Sequence, residues 1–493
     1  MLNKIIAGSL YFFLSALFHV NTYSLSAQNV KVFSTEKLIE DFKVFIDALH
    51  EAYPSTYRYN TRKDIEQFFT NKLNGLKREM TEKQFFQVVA ITAAKIKDEH
   101  LIPGPSEDSY REYKTVNRFL PFNLKIINSK MHINKSVDIR LKAGSEIISI
   151  NGMASKDILH KLIQYIPHDG YIRTFSYRHL EDYSPTQNEN LFDLYFSIFY
   201  TLRDTFSIKV KSPGNIVSEI AVKTLNYKEY VDFYQKRTTH EPALDFRALS
   251  KEVSYLNISS FHSSYREMFK QDFEVLFRQI FMQLDSSKTE NLILDLRRCE
   301  GGDNSYLWLL AYLMNKPFKV IDYLEVAYSG YPVVSKFFEN PETSLLIDSF
   351  LRRVPSGMYR LKTNKESSVP GHTEINPEAF HFKGKLFVLT GGATGSAAGI
   401  VATILRNNKR AIFVGEESGG AMEGPTALNI SVLVLPNTKI KIEIPHIREQ
   451  LAVTYIKGRG VIPEFSVEQT MKDLINNVDT QLEFVLDLIK RGK

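Results

Sequence analysis

The sequence holds one cysteine, Cys299, in 493 residues. A lone thiol cannot close an intrachain disulfide or build a cysteine-rich metal centre, so the fold stands on packing. Charge is nowhere concentrated. Lys and Arg number 62 and Asp and Glu 56, interspersed, and the net charge of +6 becomes +5 once Lys4 is subtracted with the leader described below. Without a basic block, nucleic acid is not an expected partner. Long apolar runs are also missing after residue 27, where none reaches the ~18 uninterrupted apolar residues of a membrane span.

The exception is the start. Lys4 gives a positive beginning, residues 5–20 are apolar apart from small residues and His19, and Ser24-Leu25-Ser26-Ala27 offers a small-residue cleavage site. Residues 1–27 therefore read as a signal peptide cut after Ala27, with an uncut anchor helix as the alternative. No cysteine follows the site, which argues against lipid attachment. The expected product is exported, periplasmic or extracellular, with no stable membrane span once the leader is gone. Its length, 43% apolar and 12% aromatic content imply two or three domains.

Residues 30–110 read as a helical domain. Leu38, Ile39, Phe42, Phe45, Ile46 and Leu49 recur at helical spacing, a second helix covers roughly 62–78, and Thr81-x-x-Gln84 is a capping box opening a third. Asp98-Glu99-His100 follows that helix. A histidine there can serve only to complement the helix dipole. Residues 115–225 read as a β-rich module in which the segment 143–152, AGSEIISING, resembles the carboxylate-binding segment of PDZ domains. An insertion at about 169–204 carries Leu191, Phe192, Leu194, Tyr195, Phe196 and Phe199, for which packing is the simpler reading and a ligand box the other. From 245 to 490 strands and helices alternate, with a helix at 265–284, strands at 411–414, 427–434 and 439–444, and a last helix at 471–489. That alternation implies an α/β core whose largely parallel sheet carries its sites at the carboxyl edge.

The stretch 385–405, KLFVLTGGATGSAAGIVATIL, is a strand, a glycine turn and a small-residue helix. The turn lifts Ser396 above the sheet edge, where unpaired helix amides favour a developing negative charge. Ser396 can be a nucleophile there, or simply the helix N-cap. A second loop, Arg297-Arg298-Cys299-Glu300-Gly301-Gly302, should meet it.

Five segments then occur in order: Tyr255-Leu256-x-Ile258-x-x-Phe261; Leu294-Asp295-Leu296-Arg297-x-x-x-Gly301-Gly302; Gly391-x-x-x-x-Ser396-Ala397-Ala398; Val414-Gly415-Glu416-x-Ser418-Gly419-Gly420; and Gly460-Val461-x-Pro463-Glu464. Together they resemble the C-terminal-processing, or tail-specific, serine peptidases, as does the order of helical cap, PDZ-like module and core. The resemblance implies a serine endopeptidase acting on polypeptides without metal or cofactor. It makes Ser396 the nucleophile and places the oxyanion hole at Ala397 and at Gly301 or Gly302. One branch of the family pairs serine with a lysine, but Gly419-Gly420-Ala421-Met422 has none at the matching place. The tricorn-like and retinoid-binding-protein-like branch has Thr-Gly-Gly there, and its peptidases use a cap-domain histidine in a motif like Asp-x-His. That points to His100 as general base. The glutamate expected three residues before the Gly-Val-x-Pro motif is Lys457 here. Glu417 or Glu416 can substitute as third catalytic residue, or either can be a solvated turn carboxylate. Cys299, where relatives have asparagine, lacks a base and reads as packing. The alternative function is a non-catalytic binder of peptides or apolar ligands on the same fold; cleavage specificity and oligomeric state are not encoded in any motif.

Overall fold

The computed structural model describes residues 31–492 except 117, 182, 185–188, 236–241, 345–349 and 363–369. The leader at 1–27 lies outside the described residues. The chain forms a multi-domain α/β structure built on three six-stranded sheets.

The N-terminal part packs helices Thr35–Glu51, Arg62–Gly75 and Glu82–Ile96. Phe42, Phe45 and Leu49 of the first and Phe85, Phe86 and Val89 of the third are fully or almost fully buried, as their spacing requires. The capping box is present in both halves: the Gln84 N–H donates to Thr81 Oγ1 and the Thr81 N–H to Gln84 Oε1. Lys97, at φ 66° in the left-handed region, ends the third helix and turns the chain toward His100.

An antiparallel sheet follows, in the order Val217–Lys223, Thr205–Lys211, Glu146–Ile150, Lys130–Ser136 and Phe122–Ile127, with Met153–Ala154 on the side. The aromatic helix Leu191–Phe199 buries Phe192, Tyr195 and Phe196 in the same apolar cluster as the helical cap. Those rings are core.

The second sheet runs Leu244–Ala248, Val253–Ile258, Asn291–Asp295, Lys385–Thr390, Ile412–Gly415 and Phe465–Ser466. Only its first pair is antiparallel; the other four pairings are parallel. Both faces are covered, which is why these strands read as continuous apolar runs. Leu292, Leu294, Leu386 and Val388 face helices Phe273–Ser287, Tyr306–Leu313 and Ser396–Asn407, while Ile293, Phe387 and Leu389 face helix Thr480–Lys490.

Strands Thr426–Val434 and Lys441–Leu451 do not join that sheet. They form a third, antiparallel one with Ile321–Val326, Tyr359–Leu361 and Leu351–Arg353, and Pro103–Gly104 adds to it beside Lys441–Ile442. Two long helices expected from periodicity are broken. The first divides into Ser263–Met268 and Phe273–Ser287 around Lys270 at φ 52°, and the last into Met471–Asn476 and Thr480–Lys490 around Asn477 at φ 56°. In each case a following aspartate, Asp272 or Asp479, caps the next helix. No helix among the described residues is long and apolar enough to cross a membrane.

Candidate active site

Ser396 stands at the end of the central strand Lys385–Thr390, on a turn held from two sides. Thr394 Oγ1 donates to the Leu296 carbonyl and accepts from the Gly391 N–H, the Gly395 N–H donates to the Cys299 carbonyl, and the Gly419 and Gly420 amides both reach the Thr394 carbonyl. So clamped, the chain holds Ser396 at φ 45°, a left-handed conformation that costs a non-glycine residue of order 1–3 kcal/mol. Gly395 is the N-cap and has no side chain to cap with, so Ser396 is the first helical residue and not the cap. The Ser396 side chain is thereby turned out of a capping role.

The glycine loop closes over it. A methyl group at Gly301 would lie 2.6 Å from Ser396 Cβ and 2.7 Å from the Ala397 nitrogen, and at Gly302 it would lie 2.3 Å from the Phe261 carbonyl carbon. Both glycines have positive φ, 107° and 142°. Backbone therefore approaches the Ser396 alcohol and the Ala397 amide where any side chain would fill the space. The Ala397 N–H, second in its helix, has no intrahelical acceptor by position. The loop's base is rigid: Arg297 bridges Asp295, Asp479 and Gln481, and Tyr255 donates to Asp295 at 2.6 Å. Cys299 is buried beneath it, and burial pushes its thiol up to about 12, far from thiolate chemistry at neutral pH.

The segment carrying His100 reaches this edge along a strand. Pro103–Gly104 pairs with Lys441–Ile442 and the Glu443 N–H donates to the Ile102 carbonyl at 2.9 Å. Next to His100, Glu99 Oε1 accepts the Ser396 N–H at 3.0 Å, joining positions 297 residues apart. The imidazole is mostly buried. Its Nδ1 lies 3.8 Å from Asp98 Oδ1 and 3.8 Å from Glu99 Oε1, ion-pair contacts outside hydrogen-bond range. Asp98 is itself fixed, accepting the His100 N–H at 2.9 Å and the Tyr53 hydroxyl at 2.6 Å. Burial works against the imidazolium, but Asp98 and Glu99 outweigh it and hold the His100 pKa at about 9. Burial and Asp98 raise Glu99, against the opposing pull of His100 and the Ser396 amide. Asp169, buried and facing Glu99 and Asp98, is raised well above the carboxylate range.

The glutamates named from sequence lie elsewhere. Glu417 is held by a bidentate pair with Arg459, at 2.7 and 2.8 Å, and accepts the Gly460 N–H. Glu416 makes a bidentate pair with Arg178 at 2.9 Å for both bonds. The structure brings neither among the charged groups acting on His100, which are Asp98, Glu99 and Asp169, with Glu443 and Glu449 on strand Lys441–Leu451. Lys457 is exposed. Sequence reading did not single out Asp169, which accepts the Glu99 N–H at 3.1 Å and the Ala421 N–H at 3.0 Å. Its only signal was Asp169-Gly170, indistinguishable from an ordinary turn.

A cleft of about 710 Å³ opens beside the site, lined among others by Leu124, Lys125, Arg178, Arg297, Gly391 and Ala393. On its wall the edge strand Phe122–Ile127 has one rung already taken: Glu181 accepts the Ile126 N–H and Arg178 donates to the Ile126 carbonyl. Among the described residues no group of three or more His, Cys, Asp or Glu is disposed to hold a metal ion.

The model of peptidase family S41 matches residues 252–467. Among solved structures, mature CPAF is similar at 16% identity, with 90% of this chain and 94% of that chain covered and a TM-score of 0.61. Mature CPAF complexed with lactacystin is similar at 16% identity, covering 92% of this chain and 98% of that one at a TM-score of 0.63. At these identities the likeness is one of fold. The photosystem II D1 C-terminal processing protease also matches, at 14% identity over 91% of this chain and 95% of that chain, with a TM-score of 0.43.

Proposed function

Residues 252–467 match the model of peptidase family S41, and from that match we propose that the protein is an exported serine endopeptidase of the tail-specific kind, acting through an acyl-enzyme on Ser396. The family's chemistry is peptide-bond hydrolysis, so the substrate is a polypeptide. Ser396 Oγ attacks the scissile carbonyl carbon while His100 takes the hydroxyl proton. With Nδ1 turned to Asp98 and Glu99, Nε2 is the nitrogen left for that transfer. The oxyanion is held by the Ala397 N–H and by Gly301 or Gly302. Collapse breaks the C–N bond, and the imidazolium returns its proton to the leaving amine. Water then attacks the ester, His100 accepts its proton, and the acid product leaves as Ser396 is reprotonated. Asp98 and Glu99 take the orienting place that Lys457 vacates.

One observation carries the reading: Ser396, held in a left-handed conformation at a helix start, is bonded through its own amide to the residue beside His100. A phosphonate that labels reactive serines should label the wild type and not Ser396→Ala, and casein hydrolysis should vanish with it. Undiminished labelling of the alanine variant overturns the assignment. Recognition of substrate C-termini on the module at 115–225, and a periplasmic or extracellular location set by residues 1–27, belong to the same proposal. Selective cleavage of a peptide with a free over an amidated C-terminus tests the first; failure of a reagent confined to the cytoplasm to label the protein in intact cells tests the second.

A non-catalytic peptide binder on this fold is the second reading, favoured by Lys457 and by an imidazole that is charged at neutral pH. Such a binder would hold peptide uncut at every pH, including above 9.

A further inference from the structure

Glu99 stands in an unusual position for an acidic side chain. It occupies the start of helix Ser396–Asn407, where its Oε1 accepts the Ser396 N–H at 3.0 Å, and the same oxygen lies 3.8 Å from His100 Nδ1. A methyl group at Gly395 would sit 3.3 Å from both carboxylate oxygens, so the group lies flat against the helix cap. It is 7% exposed, and its Oε2, like His100 Nδ1, is buried without a hydrogen bond. A buried anion left with an unused acceptor lone pair beside a buried ring nitrogen without a hydrogen bond is costly unless the two share charge. The backbone below is fixed as well, because Asp169 links the Glu99 N–H to the Ala421 N–H of the loop that clamps Thr394.

We propose that Glu99 is a positioning residue that couples the two halves of the site, holding the Ser396 turn by its amide while sharing its charge with the His100 imidazole. The proposal rests on the reading of Ser396 and His100 given above. It differs from an orienting carboxylate that touches only the imidazole, because here one carboxylate sets both the nucleophile's backbone and the base's charge. The helix dipole favours the ionised carboxylate at that position. The charges facing this pair are Asp98 on the same loop, Asp169 across it, His179 toward Glu99, and Glu443 and Glu449 from strand Lys441–Leu451 toward His100. Asp98 alone would keep some of the imidazolium's support, so removing Glu99 should lower its midpoint and not abolish the shift.

Two readouts on the full chain decide it: the His100 ring titration followed by NMR, and the rate of fluorophosphonate labelling across pH. In Glu99→Gln the titration midpoint should fall from about 9 by roughly one unit or more, as expected for loss of a charge at this distance. Labelling at high pH should fall about tenfold, the scale of a misplaced nucleophile. Glu99→Asp keeps the charge but draws it back from Ser396, so it should restore most of the midpoint while labelling stays slow. A Glu99→Gln protein with an unmoved midpoint overturns the proposal even when its labelling is slow. If Glu99→Gln does not fold, Glu99→Asp decides alone: wild-type labelling rates in that variant overturn the proposal, and slow labelling with a high midpoint supports it. A wild type that titrates and shifts as described but is never labelled overturns the catalytic reading while the coupling stands.

Discussion

Strand Lys441–Leu451 has a histidine environment on each side of it, and the two are opposites. His446 points into the apolar core, between Tyr328 and Phe338 in edge-on contacts, with Ser431 Oγ 2.8 Å from Nε2 and the Ala52 carbonyl 3.3 Å from Nδ1. Burial drives its pKa down to about 4. Around His100 are Asp98, Glu99 and Asp169, with Glu443 and Glu449 of the strand itself, and its pKa stands near 9. Burial is shared by both. What separates them is whether carboxylates accompany it, so a buried histidine becomes reactive equipment or inert filling according to its neighbours.

The largest break in this comparison is expected from His100→Ala, which should lower kcat/KM by about 10³-fold or more, as loss of a general base does. His446→Gln should leave the chemical step within a few fold. An equal loss of rate in both variants would erase the distinction. Next comes Gly301→Ala, whose methyl would crowd Ser396 Cβ and the Ala397 nitrogen. Its kcat should drop about 10²-fold through the obstructed oxyanion site, while Gly75→Ala, where φ is not positive and a methyl group meets nothing within 4 Å, should keep full activity.

The pH dependence sharpens the contrast further. His446 is neutral in the folded state, so its depressed pKa withdraws stability as pH falls from about 6.5 toward about 4, by up to about 3 kcal/mol. His100, with a raised pKa, contributes stability that is fully present below about 6.5 and is lost as pH rises through about 9. Activity runs the other way on that limb, because only the neutral imidazole accepts a proton. The kcat/KM should therefore climb with pH to a midpoint near 9, and a profile flat from pH 6 to 10 would rule out His100 as base. The smallest effect is expected at Glu417→Gln. Its carboxylate serves Arg459 and Gly460, so Tm should fall slightly and kcat/KM change less than a few fold.

The sequence made the parallel sheet legible because its strands are apolar on both faces and its helices carry clean caps. The loops around Ser396 and Gly301 were legible because glycine marks the places where backbone must come close. The third sheet was not, since strands Thr426–Val434 and Lys441–Leu451 look the same locally whichever sheet receives them. Nor could local pattern tell Glu99 from Glu417. Both are acidic residues after regular elements, and only the distant partner, the Ser396 amide for one and Arg459 for the other, distinguishes them. His100 carried a local signal of helix-end histidine alone; Asp98 and Glu99 stand beside it in sequence, but that they turn their carboxylates to its ring, and that Asp169, Glu443 and Glu449 join them, is decided by distant packing.

The pairing of Pro103–Gly104 with Lys441–Ile442 also orders events during synthesis. A nascent chain that has emerged as far as position 410 already holds both the imidazole and the alcohol, yet the strand that seats the imidazole's segment is still inside the ribosome. Until strand Lys441–Leu451 arrives, the segment that carries the imidazole has no strand to pair with, and the two halves of the site stay unassembled.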